Sequence, residues 1–363
     1  MCNLRRRIPK LNLVARSVLL GGWFLIMCPL AASSGEEAKA MPTQEKSGRF
    51  DLSGHRGARG LCPENTLPAF AKALAIGVTS LEMDAAVTKD GIVVISHDPF
   101  LDPNITRGPD GKWIDGERRF IKRFTFEELQ RYDVGRIRPG SDYEARLARQ
   151  VPVDGTRIPS LSAVIELVRT SGLNEVVLSV EAKFDPTDET KPTLEPKELA
   201  EAMVGLLRRE KFANRAYIQS FDWGVLQIVQ ELAPEIPTVY LTSAQPGDDT
   251  LGIGKPEGSK WTGKFNINTY NGSVPHAIKA AGGRLWSPDS RDLNAAQVAT
   301  AHELGISVIV WTVNEPAEMA HFIGLSVDGI ITDYPDRLRQ VLKDKGMPLP
   351  KSAAQPGGGL GCK

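Results

Sequence analysis

A chain of 363 residues with 41% hydrophobic and 24% charged residues has a globular composition and enough length to bury a large core. Lys plus Arg and Asp plus Glu balance at 44 each, so the charge offers no footing for nucleic acid as a partner. No repeat of roughly 20–50 residues is visible, so a solenoid is not expected.

Residues 1–40 read as a secretory signal peptide. Arg5, Arg6 and Arg7 form a basic start, an apolar run extends from Val18 to about Leu30, and small residues follow. The run is too short to span a bilayer comfortably, and cleavage after Ser33 or after Ala40 both fit. The expected localisation is therefore exported, periplasmic or secreted, with no stable membrane span in the mature chain. Losing residues 1–40 removes six basic and two acidic residues, leaving 38 basic and 42 acidic and a mild net charge of −4. Cys62 and Cys362 would then be the remaining cysteines. An exported chain could pair them, although two thiols define no disulfide framework.

From residue 50 to 343 short apolar runs alternate with amphipathic stretches. Strands are expected at Phe50–His55, Ser80–Val87, Glu175–Glu181, Ala216–Phe221, Pro237–Leu241, Arg284–Ser287, Ile306–Val313 and Gly329–Thr332. Helical patterns fall between most of them, at Leu67–Ile76, Leu161–Thr170, Pro196–Lys211, Trp223–Leu232, Ala295–Leu304, Pro316–Gly324 and Pro335–Lys343. Eight strand–helix units over this length predict an α/β fold, a closed (β/α)8 TIM barrel. Two segments interrupt the alternation. Residues 101–157 form an insertion after the second barrel strand and its hairpin, with one short helix around Phe126–Tyr132. Residues 243–280 form a long loop after the fifth strand. Both follow strand C-terminal ends, where barrel loops build the site. Residues 344–363 are expected to form a flexible tail.

The chemistry gathers at a few strand ends. In SLEMDAAVTKDGIVVISHDP, Glu82 and Asp84 are two residues apart and so share one face of a strand. A later strand, VVLSVEAK, ends with Glu181 and Lys183 at the same spacing. Three converging carboxylates raise one another's proton affinity unless a cation offsets them, and an all-oxygen donor set favours calcium, magnesium or manganese. His55 ends the first strand in GHRG and His97 ends the hairpin in SHDP, a pairing that suits acid/base work. Arg56 and Lys183 add fixed positive charge at the same rim, which fits an anionic phosphate. Gly57 and Gly60 allow the chain to turn after His55. Trp311 in VIVWTVN ends the seventh strand, while His276, His302 and His321 lie in loop or helix patterns with structural roles.

These blocks together resemble the glycerophosphodiester phosphodiesterase family. The similarity runs from about Gly54 to Leu338 through GHRGARGLCPENTLPAF, LEMDAAVTKDGIVVISHDP, VEAK, IQSFDWGVL, VIVWTVN and DGIITDYPDRL. The resemblance implies a TIM barrel with one divalent cation, Ca2+ or Mg2+, held by Glu82, Asp84 and Glu181. It implies His55 and His97 as the catalytic pair, Arg56 and Lys183 at the phosphate, and Glu64 orienting its neighbours; Trp311 is a candidate substrate contact from its position at the rim. The implied reaction hydrolyses a small-molecule glycerophosphodiester to sn-glycerol 3-phosphate and an alcohol. An alternative is a phospholipase D- or C-like enzyme acting on lysolipid or intact phospholipid. A catalytically inactive barrel would lack one of these positions, and all of them are present.

Overall fold

The computed structural model describes residues 49–190, 192–354 and 362; the expected signal segment, residues 1–40, lies outside them. The apolar runs form nine strands: β1 (Asp51–Gly54), β2 (Ser80–Val87), β3 (Val93–Ile95), β4 (Val177–Ala182), β5 (Ala216–Ser220), β6 (Thr238–Thr242), β7 (Leu285–Pro288), β8 (Ser307–Val310) and β9 (Gly329–Thr332). All but β3 pair in parallel with their neighbours in chain order. β1 closes the ring by pairing with β2, Ser53 opposite Ser80, and with β9, Ser53 opposite Ile331. The expected TIM barrel is therefore present. β3 folds back antiparallel on the end of β2, with Ala85 opposite Ile95, and completes the hairpin that carries His97.

Among the described residues ten α-helices accompany the strands: α1 (Leu67–Ile76), α2 (Phe126–Leu129), α3 (Asp142–Arg146), α4 (Leu161–Thr170), α5 (Pro196–Arg209), α6 (Trp223–Leu232), α7 (Val274–Ala280), α8 (Ala295–Glu303), α9 (Pro316–Gly324) and α10 (Pro335–Asp344). Their starts are written locally. The side chains of Thr66, Ser160, Asp222 and Asn294 accept hydrogen bonds from the first turns of α1, α4, α6 and α8. Pro196, Pro316 and Pro335 open α5, α9 and α10, where a missing N–H costs nothing. Strand alternation then sorts the side chains. Leu81, Met83, Val180, Ile218, Val308 and Ile330 point outward and are fully buried against the helices. Burying each such side chain stabilises the fold by roughly 1.5–3 kcal/mol before entropy is counted.

The interruptions differ in part from expectation. The insertion has its own small core, in which Leu101, Ile114, Ile121 and Leu129 pack on Ala86 and Val94 of the hairpin. Its expected helix stops at Leu129, and a second one, α3, follows. The long loop after β6 is shorter than expected, because residues 274–280 form α7, with Pro275 in its first turn. Nor is the whole segment after residue 343 a loose tail. Ala353 N–H donates to Leu74 O at 2.9 Å, Arg339 Nη1 to Pro350 O at 2.8 Å, and Cys362 is disulfide-bonded to Cys62. The tail's expected flexibility came from its glycines and prolines, but residues 346–354 find backbone partners along α1 and α10. Residues 355–361 and 363 lie outside the described residues.

Candidate active site

The β2–β4 register sets Asp84 opposite Glu181 and Glu82 opposite Ser179. Glu82, Asp84 and Glu181 therefore converge at the C-terminal mouth of the barrel, with one oxygen from each lying within 4.8 Å of the others. They are 2%, 1% and 6% exposed, so little water screens their repulsion. Burial, and then the Asp84 charge, pushes the Glu82 carboxyl well up from its usual range. Burial also pushes Glu181 up to about 7, against the pull of Lys183. Asp84 goes the other way: despite burial, Lys183 and then Arg56 hold it well below normal. Lys183 Nζ lies 3.0 Å from Asp84 Oδ1 and 2.8 Å from Glu181 Oε2. Lys183 is thus ion-paired within the carboxylate cluster.

Gln219 Nε2 donates to Glu82 Oε1 at 2.8 Å, and Asn65 Nδ2 donates to Asp84 Oδ2 at 2.8 Å. These bonds hold the carboxylate planes in place.

The turn after β1 supplies the opposite wall. Arg56 adopts a left-handed backbone with φ 49°, rare for a residue with a side chain, and its N–H donates to Glu82 Oε2 at 2.8 Å. Gly57 follows at φ 86°, and a Cβ there would meet Ala69 C at 2.7 Å, so the turn requires glycine. Gly60 serves a different purpose from the expected turn: a Cβ would strike the Tyr334 ring at 2.3 Å, so glycine permits close packing. Arg56 Nη1 donates to Glu64 Oε1 at 2.6 Å, and Glu64 also accepts from the Tyr143 hydroxyl on α3. Although burial opposes it, Arg56 and then Arg59 hold Glu64 in its charged form. Glu64 is thus a strut between the insertion and Arg56.

Each histidine has a carboxylate behind it. His55 Nδ1 donates to Asp333 Oδ1 at 2.6 Å, and its Nε2 lies 3.8 Å from Glu82 Oε2. Asp333 is in turn gripped by Arg59, through Nε at 2.9 Å and Nη2 at 3.0 Å, and by Asn314 Nδ2 at 2.8 Å. Burial, then the Arg59 charge, lowers His55 to about 4, with Asp333 opposing. His97 Nδ1 pairs with Asp98 Oδ1 at 2.8 Å. Desolvation, Arg56 and Lys183 lower His97 as well.

His55, His97, Arg56, Lys183, Trp311 and the three carboxylates all line one cavity of about 190 Å3. Phe221 completes its apolar side, edge-on to Trp311 at 5.5 Å between ring centres. Trp311 Nε1 donates to Ser287 O at 2.8 Å, which fixes the indole plane. Glu64 stands behind Arg56 and lines an adjoining cavity instead. His276, His302 and His321 line neither cavity; they contact Ser273, Asp328 and Phe322.

Sequence reasoning missed Asp333, Arg59, Gln219 and Tyr143. Asp333 and Gln219 were detectable, since each lies two residues beyond an inward-facing neighbour, Ile331 and Tyr217, where a polar residue is unexpected in a strand. Tyr143 had no signal, because nothing local ties the insertion to Glu64.

A closed parallel barrel with carboxylates, backed histidines and fixed cations at its C-terminal mouth defines a TIM-barrel hydrolase for anionic substrates. Residues 55–337 match the Glycerophosphoryl diester phosphodiesterase family, and the chain belongs to it. It is an enzyme of that family, a hydrolase of glycerophosphodiesters. A glycerophosphodiester phosphodiesterase from Caldanaerobacter subterraneus subsp. tengcongensis is 27% identical over 80% of this chain and 97% of its own length. The crystal structure of a Silicibacter pomeroyi protein assigned to the same family superposes with a TM-score of 0.71 at 34% identity, covering 83% of this chain and 95% of that one. The fold also matches an Oleispira antarctica phosphodiesterase solved with its product sn-glycerol-3-phosphate, with a TM-score of 0.58 at 22% identity over 80% and 96% of the two chains.

Proposed function

We propose that this enzyme is a metal-dependent phosphodiesterase that releases sn-glycerol 3-phosphate and an alcohol, with His55 as base and His97 as acid. The observation that carries this reading is the meeting of three buried carboxylates, two carboxylate-backed histidines and Arg56 around one cavity.

Glu82, Asp84 and Glu181 fit a hard divalent cation, calcium or magnesium. All their donors are oxygen, and the raised Glu82 and Glu181 carboxyls mark negative charge that the protein's own cations do not offset. Such a cation supplies Lewis-acid polarisation of the phosphate. The residues supply the rest. Arg56, held by Glu64 at 2.6 Å and with Nε 3.4 Å from Asp84 Oδ2, supplies fixed positive charge to a phosphate in the cavity. Lys183 adds charge on the same side. Asp333 accepts a hydrogen bond from the Nδ1–H of His55, which fixes the tautomer that leaves Nε2 as the basic nitrogen towards the cavity. With its proton affinity lowered to about 4, His55 is neutral at physiological pH and free to accept a proton. That proton comes from water, or from the substrate's own glycerol hydroxyl if a cyclic phosphate forms first. His97 gives a proton to the departing alcohol oxygen. Burial, then Arg56 and Lys183, depresses its proton affinity, and an anionic phosphate bound between the two cations raises it. Phe221, Leu241 and Trp311 present an apolar wall to the glycerol carbons.

Export from the cytosol accords with the Cys62–Cys362 disulfide, since such bonds persist in oxidising compartments. Among the described residues no helix is long and apolar enough to cross a membrane.

The deciding experiment assays glycerophosphodiesters and lysophosphatidylcholine with a panel of divalent cations, following glycerol 3-phosphate from the diesters and choline or phosphocholine from the lysolipid. Release from the water-soluble diesters, dependent on added cation, is expected. Activity that survives exhaustive chelation would sink the metal site, and turnover of the lysolipid alone would favour the lipase alternative.

A further inference from the structure

Two residues that steady the carboxylate cluster and Arg56 sit on one short loop, between the turn after β1 and α1. Glu64 accepts from Arg56 Nη1 at 2.6 Å, and Asn65 Nδ2 donates to Asp84 Oδ2 at 2.8 Å. Asn65 does so from a left-handed backbone, φ 55°, a conformation that persists where the surroundings hold it. The loop is held from three directions. Asn65 N–H donates to Arg56 O at 3.0 Å, and Val151 N–H of the insertion donates to Leu61 O at 2.9 Å. The third hold is covalent: Cys62, just before Pro63 and Glu64, is bonded to Cys362. Cys62 is wholly buried against Ala69 of α1, Val153 and Cys362. Cys362 is itself tied to α1, where Lys72 Nζ donates to its carbonyl at 3.2 Å.

We propose that the Cys62–Cys362 disulfide is a positioning element of the active site, through which a dithiol lowers the affinity for the cation. The proposal rests on the reading of Asp84 as a cation ligand. With the bond closed, α1 and Cys362 pin the loop, and Asn65 presents its amide to Asp84 in one geometry. Reduction starts at Cys362, which is 6% exposed where Cys62 is 0%. A thiolate of the dithiol attacks the Cys362 sulfur, the bond between the two cysteines breaks, and Cys62 leaves as a thiolate. The second thiol of the reagent then displaces Cys362. The two cysteines gain two electrons and two protons, and the dithiol becomes a cyclic disulfide. Cys62 loses its packed partner, the loop loses its covalent hold, and the Asn65 amide no longer fixes the Asp84 carboxylate. A hydrogen-bond partner behind a metal ligand typically accounts for about 10–100-fold in metal affinity. The enzyme therefore holds its cation most tightly in an oxidising compartment and less tightly in a reducing one.

A disulfide that closes so long a loop also stabilises the fold, so a fall in melting temperature alone is no test. Calorimetric titration with calcium and with magnesium measures Kd below the unfolding range. The proteins compared are oxidised wild type, wild type reduced with dithiothreitol, and Cys362→Ser. Reduction, verified by the gain of two titratable thiols, should raise Kd about tenfold. Cys362→Ser should share the raised Kd and be indifferent to the reagent. Asn65→Ala should start from a raised Kd, and reduction should then change it by less than about twofold, because the coupling runs through Asn65. Values within about twofold in oxidised, reduced and Cys362→Ser proteins overturn the proposal and leave the disulfide as a staple for stability. A full tenfold response in Asn65→Ala overturns it as well. Should either variant fail to fold, the oxidised and reduced wild type decide by themselves. Failure of the underlying reading looks different: the oxidised wild type would then bind neither cation, and this proposal would fall with it.

Discussion

The two halves of the barrel interior differ in kind. On β2, β4 and β5 the inward side chains are Glu82, Asp84, Ser179, Glu181 and Gln219, linked in part by hydrogen bonds from Ser179 Oγ to Gln219 at 3.0 Å and from Gln219 to Glu82. On β6 to β9 they are Val239, Leu285, Ile309 and Ile331, with Tyr217 and Trp311 packed against them. The outward faces of the same strands are mainly apolar, and outward Thr238 and Thr242 are hydrogen-bonded to Gln230 and Trp286. The fold is therefore carried by the strand–helix contacts, which leaves the interior free to be divided. The apolar half lowers the local dielectric, and so the ionic half acts on a phosphate more strongly than it would in water.

The sharpest way to break this division is to remove charge from the ionic half. Glu82→Gln should reduce turnover by about 10³-fold, in the range seen when one electrostatic contact to the transition state is lost. Chelation of the wild type should abolish activity, with recovery on adding back cation. A thermal readout is independent of turnover: at a cation concentration of ~100 Kd the wild type should gain about 2.7 kcal/mol, and Glu82→Gln much less. Equal thermal shifts in both proteins would remove Glu82 from the cation site.

Breaking the apolar half should instead cost stability. Ile309→Ala leaves a cavity among Val239, Leu285 and Ile331, and should lower the unfolding free energy by about 2–5 kcal/mol in a denaturant titration. Cation affinity should be retained, because no ligand moves.

A pH titration of stability should sharpen the contrast. His55 is depressed to about 4 in the folded protein, so below an unfolded value near 6.5 the unfolded chain takes up the proton first. Its contribution is therefore present above about pH 6.5 and is lost as pH falls towards 4, by on the order of 2–3 kcal/mol. His55→Asn should flatten the stability curve in that window. An unchanged slope would mean that the buried imidazole is not its source.

The smallest expected effect concerns the strut from the insertion. Tyr143→Phe leaves Glu64 with Arg56 but without the hydroxyl, and should raise KM several-fold, as befits a hydrogen bond of about 1 kcal/mol. A change in kcat with KM untouched would place Tyr143 in a different role.

Much of this was legible in the chain. Ser80–Val87, Gly329–Thr332, Leu67–Ile76 and Leu161–Thr170 fall where periodicity and capping residues put them. Period-two spacing places Glu82 beside Asp84, and the blocks around His55, His97 and Glu181 identify the family. The α7 helix escaped because its seven residues, lying next to a Gly- and Asn-rich loop, carry too little periodicity to stand out. The ordered stretch before residue 354 escaped because its partners on α1, Leu74 and Ile76, lie more than 250 residues away.

What the sequence determined by itself is the alternation of strand and helix and the chemistry stored at each strand end, because both depend on neighbours within a few residues. What only the tertiary structure decided is which of those ends meet. Asp333 reaches His55 across 278 residues, Gln219 reaches Glu82 across 137, and Cys62 bonds to Cys362 across 300. Such pairings carry no local signature; they exist because closing the barrel brings β1 beside both β2 and β9, and so gathers its first and last strands around one site.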